Sequence, residues 1–521
     1  MTAPAPSSAS LGSTAVEDVL SRPQTGLRAV VVGSGVAGLV AARVLSEHFD
    51  EVLLLERDSL PTEAAEGGLA ATKDAVSARR RGVPQWGQPH VMLNRGLQEL
   101  EALFPGLKED LIAGGAPSVA APASWTMYDG RLGGLMPHKY TAFEILCASR
   151  PLVETELRVR LARDRPNVTS VLGAVVEGLE FGGGPDAAAR PGRVTGVRLR
   201  GCLAPLGADL VVDASGRGSR APEWLAAAGW EAPPTVTVDA NLVYTSTVIK
   251  LPDDWAASGG DEVIFCVAVP PDTRSGLIVP IEGGVHHLIM AGRADQRCPP
   301  NDEAIAEFAS SLPHPALAKA LAAGRRVGEI RCYERTANFR RRYEDIEMPG
   351  NLVVFGDAAC AFNPVHGQGM TVAVLEAVEL GRQLGAALPP PAAAAATAAA
   401  DRAAPPPPRL AAARAALPAA SRGFMRSLGR QVAVPWSLAT GADQAYAPGF
   451  KQTMAEKAIS GLFDEITRLS LRDVAVHERL MRVMHMLEEP SSLMSPGILL
   501  RLAADKLAGL FGRGGGSRAS A

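Results

Sequence analysis

The stretch LRAVVVGSGVAGLVAARVLSEHFDEVLLLERD, Leu27 to Asp58, constrains the fold of this chain more than any other. An apolar β-branched run, Ala29 to Val32, leads into Gly33, Gly35 and Gly38. An alanine-rich helical segment follows, and a second apolar run, Val52 to Leu55, ends on Glu56. Strand, helix and strand in this order make a βαβ unit. Gly33 permits the tight turn, Gly35, Val36 and Ala37 bring backbone up to a pyrophosphate, and Gly38 lets helix and strand pack closely. Glu56 lies 18 residues past Gly38, about where a carboxylate accepts hydrogen bonds from an adenosine ribose. A glycine turn without a nucleotide is the plain alternative, and the register of strand, helix, strand and acid weighs against it.

That unit does not distinguish NAD from FAD. A second stretch does: GDAACAFNPVHGQGM, Gly356 to Met370. The strand-like NLVVF precedes it and the helical TVAVLEAVELGRQL follows, so it sits at a helix N-terminus, where free N–H groups and the helix dipole attract negative charge. Asp357, just after a strand, suits a polyol hydroxyl. The amides of Gly367, Gln368 and Gly369, flanked by Pro364 and Met370, face a group that becomes negative. A flavin has both features, a ribityl chain and a pyrimidine end that gains charge on reduction.

The remaining composition excludes several classes. With 52 basic and 55 acidic residues the net charge is −3, so no overall field recruits nucleic acid. The 6 cysteines are scattered, with no CxxC and no metal-ligand spacing. They read as reduced packing thiols, no metal is expected, and disulfide reductases are disfavoured. Residues 1–26 lack the regions of a secretory signal and read as a flexible leader, with a transit peptide as the alternative. A cytoplasmic location is therefore expected, with organelle targeting as the other reading. The apolar AVVVGSGVAGLVAARVL is broken by three glycines and is not read as a membrane span.

GSGVAGL with Glu56, ADLVVDASGRGSRAP (Ala208 to Pro222) and GDAACAFNPVHGQGM together resemble the FAD-dependent monooxygenases of the p-hydroxybenzoate hydroxylase type, a superfamily that also holds squalene epoxidase and polyether-type epoxidases. The resemblance runs from about Leu27 to Leu388. It implies FAD, with NADPH or NADH as transient reductant, and dioxygen delivered through a flavin hydroperoxide to an apolar small molecule. It also implies further cofactor contacts: Arg57 beside Glu56, Arg150 in CASRPLVETELRVRL, and Arg81 and Gln85 in RRRGVPQWGQPHVML. Arg150 has a plainer reading as a cap on its own helix, beside Glu154–Arg158 and Glu156–Arg160 pairs at i,i+4. Two departures stand in the late motif: Cys360 where many members carry histidine, and His366 where tyrosine is frequent. Cys360 reads as packing. His366 is either a structural histidine or a weak catalytic candidate, and no other side chain is named as acid or base. Asp213, in the middle motif, reads as a structural anchor.

The expected fold class is α/β: a Rossmann-like FAD-binding domain of the glutathione-reductase type with a single nucleotide domain, an inserted, mostly antiparallel β-sheet substrate domain and a C-terminal helical region. The nucleotide domain would be discontinuous, 27–120, 145–228 and 335–388, with 121–144 and 229–334 forming the substrate domain. Val236–Leu251, Glu262–Val269 and Leu277–Ala291 read as sheet. On them Tyr244, Ser246, His286 and His287 point into a pocket or face solvent, solvent being the ordinary outcome for one face of an antiparallel sheet. The Ala/Pro-rich 389–420 has almost no large apolar side chains and is expected to be an unpacked insertion. Residues 421–512 read as helical, with Met481, Met484 and Met486 as core, and 513–521 as a flexible tail. The last amphipathic helix could touch a membrane surface.

The function expected from the resemblance is hydroxylation or epoxidation of an apolar, aromatic or polyene molecule. The alternatives are a reductase of a polyprenyl chain, like geranylgeranyl reductase, and a non-redox binding module, like the Rab GDP-dissociation inhibitors. The tryptophans do not form the WxWxIP signature of flavin halogenases, so halogenation is disfavoured.

Overall fold

Strands buried on both faces carry near-continuous apolar runs, and four of them organise this molecule. Arg28–Val32, Glu51–Glu56, Leu210–Asp213 and Leu352–Val354 are almost wholly buried. With Val168–Leu172 they form a parallel sheet in the spatial order Leu352–Val354, Leu210–Asp213, Arg28–Val32, Glu51–Glu56, Val168–Leu172. Val32 lies opposite both Leu55 and Asp213, and Asp213 lies opposite Val354. This register brings Gly33, Glu56, Asp213 and Gly356 to one carboxyl edge, where open α/β sheets bind ligands. The computed structural model describes residues 16–60, 80, 83, 86, 89–121, 125–130, 132–136, 143–182, 192–388, 407–447 and 450–512.

The helix Val36–Leu45 lies between Arg150–Asp164 and Gly369–Ala387 and touches both. The packing is close: a Cβ at Gly381 would come within 2.6 Å of Val44 Cγ1. A three-stranded sheet of Val176–Gly182, Arg193–Leu199 and Leu206–Gly207 packs beside the Leu210–Asp213 strand.

The second large sheet runs through Leu242–Lys250, Val285–Arg293, Arg274–Ile281, Val263–Val267 and Trp125–Asp129. It is antiparallel except where Val263–Val267 pairs with Trp125–Asp129. The expected Val236–Leu251 strand is two strands. Asn241 takes φ 49, and the chain before it, Thr235–Val238, pairs instead with Asn338–Arg341. The 277–291 stretch lies in a hairpin turned at Gly283 and Gly284, both at positive φ.

Neither face of this sheet is free. Asp302–Ser310 and Ala316–Ala323 cover one side, with Ile305, Phe308 and Leu317 packed on Ile278, Leu288 and Met290. On the other side Leu242, Tyr244, Ala291 and Tyr333 pack against Val365. Tyr244, Ser246 and His287 are therefore buried, not solvent-facing, and His286 is half-buried. Burial holds both histidines down at about 4, so they stay neutral.

The Ala/Pro-rich segment also departs from expectation. Residues 389–406 lie outside the described residues, but from 407 the chain belongs to the 38-residue helix Pro407–Gln444. Ala413, Leu417, Phe424, Leu428 and Val432 recur at helical spacing and are buried. Alanine is the strongest helix former, and its small side chain permits close approach, so Leu410 and Leu417 anchor the first turns against the core. This helix lies against Gly369–Ala387 and Leu352–Val354, and Ser421 Oγ accepts the Asn351 amide at 2.9 Å. Beyond it Met454–Ser470, Val474–Met484 and Pro496–Gly512 share a core of Ile466, Leu469, Val476, Leu480, Ile498 and Leu502. Of the three methionines, Met481 is buried, Met486 packs against the nucleotide-domain core and Met484 is exposed. The last helix leaves Leu500 and Leu507 exposed. No described helix is long and apolar enough to cross a membrane.

Candidate functional site

At the carboxyl edge the first strand ends in Gly33, whose amide donates to Leu55 O at 2.8 Å. Its φ of 98 is a conformation that costs other residues. A Cβ on Gly38 would stand 1.8 Å from the Gly33 carbonyl, so helix and turn meet only because Gly38 has no side chain. Gly35 is the residue before the Val36–Leu45 helix, and a Cβ there would make ordinary contacts, 3.5 Å from Arg150 Nη2. Val36 turns into the core. Ala37 approaches Gly356, which links the first glycine turn to the late motif.

Six charged side chains converge behind this turn. Glu56 Oε2 accepts Ser34 N at 3.1 Å, Ser34 Oγ at 2.7 Å and Arg80 Nη2 at 2.5 Å, and Oε1 accepts the Asp58 amide at 2.9 Å. Arg80 also binds Glu154 and stands 3.6 Å from Asp58, while Arg150 Nε donates to Glu154 at 2.7 Å. Burial raises the Glu56 and Glu154 carboxyls, but the neighbouring arginines outweigh it and hold both below the ordinary range. Arg158 donates to the Ser34 carbonyl at 3.1 Å, and burial together with the Arg80 charge pulls its guanidinium down to about 10. Three arginines and three acids balance here, and Arg158, whose hydrogen bonds go to Ser34 oxygens and not to a carboxylate, is the cation placed to meet an anionic group such as a pyrophosphate.

The expected helix-surface pairs give way to this arrangement. Glu154 takes Arg150 and Arg80, and Arg160 pairs with Asp110 at 2.8 Å, because this side of Arg150–Asp164 faces the protein interior. Arg57 is exposed, and Arg81 and Gln85 lie outside the described residues. The cluster arginine that is described is Arg80. Within the run Arg79-Arg80-Arg81 no sequence signal singles it out.

Across the edge, Asp213 anchors its own turn, accepting Ser215 N at 2.9 Å and Ser219 Oγ at 2.5 Å. Arg217 ties that turn to the late motif by donating to Ala337 O at 2.8 Å and Phe362 O at 2.5 Å. Its Nε stands 3.7 Å from Asp357 Oδ2. The Asp357 side chain is 35% exposed at this edge, and burial raises its carboxyl against the pull of Arg217 and Arg150. Cβ atoms added at Gly216, Gly218 and Gly367 would meet nothing within 4 Å. These glycines face open space, and the residues present therefore fit a flavin nucleotide laid along this edge. Gly367 has φ 65 and Gly369 opens the Gly369–Ala387 helix, while Met370 turns towards Met92, Leu97 and Leu146 in the apolar core. Cys360 is buried, and burial pushes its thiol well up, as in a packing role.

Beyond Pro364 the late motif meets the sheet and the long helix in a buried polar junction. Asn363 Nδ2 donates to Asp443 Oδ2 at 2.9 Å, Asn338 Nδ2 donates to the same oxygen at 2.7 Å, and the Tyr244 hydroxyl donates to Asn363 Oδ1 at 2.7 Å. His366 Nε2 is 3.4 Å from Asp443 Oδ1. Arg293 Nη2 is 4.0 Å from the same oxygen, with its guanidinium 3.6 Å from the centre of the Tyr446 ring. Of these residues, sequence reasoning raised Tyr244 and His366. Asp443 is 77 residues beyond His366 on a different element and carries no motif.

Comparison with known proteins agrees with a nucleotide-binding fold. Protein-family models described as FAD binding domain match residues 194–408 and 28–88. The chain is 35% identical over 371 residues to Protein Rv3254 of Mycobacterium tuberculosis (strain ATCC 25618 / H37Rv), covering 69% of this chain and 73% of that protein. Among solved structures it resembles the flavin-dependent brominase Bmp2, with TM-score 0.56 and 15% identity over 92% of this chain and 98% of that one. It also resembles p-nitrophenol 4-monooxygenase PnpA of Pseudomonas putida DLL-E4, with TM-score 0.52 and 19% identity over 88% and 97%. A third likeness is to pqsL, a probable FAD-dependent monooxygenase of Pseudomonas aeruginosa, with TM-score 0.50 and 17% identity over 84% and 99%.

Proposed function

This chain belongs to the FAD-dependent monooxygenases of the p-hydroxybenzoate hydroxylase type, and from that membership we propose that it inserts one oxygen atom of dioxygen into an apolar or aromatic small molecule, by hydroxylation or epoxidation, at the expense of NAD(P)H. The observation that supports this most directly is that the late motif belongs to both halves of the molecule. Its Asp357 stands at the carboxyl edge of the nucleotide sheet, and its Asn363–His366 turn reaches the second sheet, where the Tyr244 hydroxyl donates to Asn363 Oδ1 at 2.7 Å. A cofactor laid along that edge would bring its reactive end up against the second sheet, whose cover would keep water from it, as oxygen transfer needs.

FAD, when bound and reduced, supplies the oxygen-activating chemistry. The chain's residues would do the rest. The helix start after Gly35, with Arg150 and Arg158 nearby, would hold the pyrophosphate. Glu56 would accept ribose hydroxyls by sharing the oxygens now bonded to Ser34, Arg80 and Asp58. Asp357 would accept a ribityl hydroxyl. The amides from Gly367 to Gly369 would stabilise negative charge on the pyrimidine end. Tyr244, Arg293 and His366 would offer polar contacts to a bound substrate. At 15% identity the likeness to a brominase carries the fold and not halogenation.

The test is the visible spectrum of the purified protein, supplemented with FAD and desalted, taken anaerobically before and after NADPH. Retained flavin that bleaches is expected, followed by label from dioxygen in the product when alkenes and aromatics are screened. A reduced, unlabelled product would replace this reading with a polyprenyl-type reductase, and no retained flavin would replace it with a binding module.

A further inference from the structure

Asp443 is 1% exposed, yet it sits on the Pro407–Gln444 helix, outside the nucleotide-binding fold. A buried carboxylate that served only packing would be costly, so its partners indicate what it does. Its Oδ2 takes Asn338 at 2.7 Å and Asn363 at 2.9 Å, leaving Oδ1 towards His366 Nε2 at 3.4 Å and Arg293 Nη2 at 4.0 Å. Asn363 in turn accepts the Tyr244 hydroxyl at 2.7 Å and the Val365 amide at 3.3 Å, and its own amide donates to Asn338 Oδ1 at 2.7 Å. The His366 amide donates to Asn363 O at 3.1 Å. The Asn363–His366 turn is thus held by Asp443, Asn338 and Tyr244 together, and Asp443 is the member that bonds both asparagines. Burial pushes the Asp443 carboxyl up, but the nearby His366 and the hydrogen bonds from Asn363 and Asn338 hold it below the ordinary range, so it is an anion when the turn is formed.

We propose that Asp443 is a positioning residue for the bound flavin: it clamps the Asn363–His366 turn and, by facing Nε2, selects the His366 tautomer that leaves Nδ1 as the proton acceptor. This rests on the FAD reading above. At 3.4 Å neither Nε2 nor Oδ1 completes a hydrogen bond among the described residues, and this contact would close on loading, as catalytic hydrogen bonds do.

Asp443→Asn, His366→Gln and the double variant are compared with wild type by FAD dissociation constant, read from flavin fluorescence, and by the shape of the bound flavin's visible band. Circular dichroism checks folding. Each single change is expected to weaken FAD by about tenfold, as loss of orienting groups does at other bound centres, and to alter the band in the same way. The double variant is expected to be no weaker than the weaker single, since one acts through the other. Multiplying effects would overturn the proposal. So would a wild-type affinity and spectrum in His366→Gln, which decides the matter even if Asp443→Asn does not fold. Wild type failing to bind FAD would overturn the FAD reading and this inference with it.

Discussion

The backbone amide of Gly356 donates to Glu376 Oε2 at 2.7 Å, beneath the turn that carries Asp357. Glu376 is wholly buried in the Gly369–Ala387 helix, and its Oε1 has no partner among the described residues. Burial pushes its carboxyl up to about 8, against the Gly356 hydrogen bond and with help from the Asp357 charge. Glu376 therefore keeps its proton in the native chain at pH values where the unfolded chain has lost it. Its contribution is full below the ordinary value of 4.5 and is lost as pH rises towards 8. Between pH 6.5 and 8, above the range in which the buried histidines act, thermal melts should show wild type losing stability with rising pH. Glu376→Gln, which still accepts the Gly356 amide, should lose less. Equal slopes would refute the assignment.

Gly35 and Gly38 should separate binding from folding. Gly38→Ala forces a Cβ to 1.8 Å from the Gly33 carbonyl, a backbone atom that cannot swing away, so a loss of at least about 1–3 kcal/mol or outright misfolding is expected. Gly35→Ala meets only ordinary contacts and should melt within about 0.5 kcal/mol of wild type while losing FAD affinity. Melting and flavin retention, measured on the same samples, check both.

Arg80 neutralises buried acids. Arg80→Met leaves Glu56 and Glu154 without its charge, and a loss of about 3–5 kcal/mol at neutral pH is expected from urea unfolding. Depressed carboxyls stabilise above their unfolded values, and that stability is lost as pH falls through their folded ones. The difference between variant and wild type should therefore shrink on acidification. A constant difference would point to packing against Trp86 instead.

Asp357 has its carboxylate at the carboxyl edge of the nucleotide sheet, beside Arg217. Asp357→Ala should sharply weaken FAD retention after desalting, and Asp357→Asn, which keeps an acceptor, should retain more. Flavin content equal to wild type in both would count against the cofactor lying along this edge.

The βαβ unit, its glycines and Glu56 were legible because their causes are local: a strand period, a turn that only glycine closes and an acid at the end of the next strand. The late motif was legible as a helix start for the same reason. Local pattern misjudged what covers a surface. The alternating strand with Tyr244 and Ser246 looked half-exposed, and the alanine-rich 407–420 looked unpackable, because neither carries information on the element that buries it. The ionic site shows the same limit. Glu56 announced itself, but the choice of Arg80 from three adjacent arginines, and the turning of Arg158 to Ser34, follow from where helix Arg150–Asp164 docks. The junction around Asp443 is the extreme case. Asn338, Asn363 and Asp443 are brought together by three separate elements, so their hydrogen bonds exist only once sheet, turn and long helix have packed. Sequence by itself determined the nucleotide fold and the shape of its cleft, since short-range sterics decide those. Tertiary structure alone decided which charges are buried and which groups meet beyond the cleft, because burial is a property of neighbours distant in the chain.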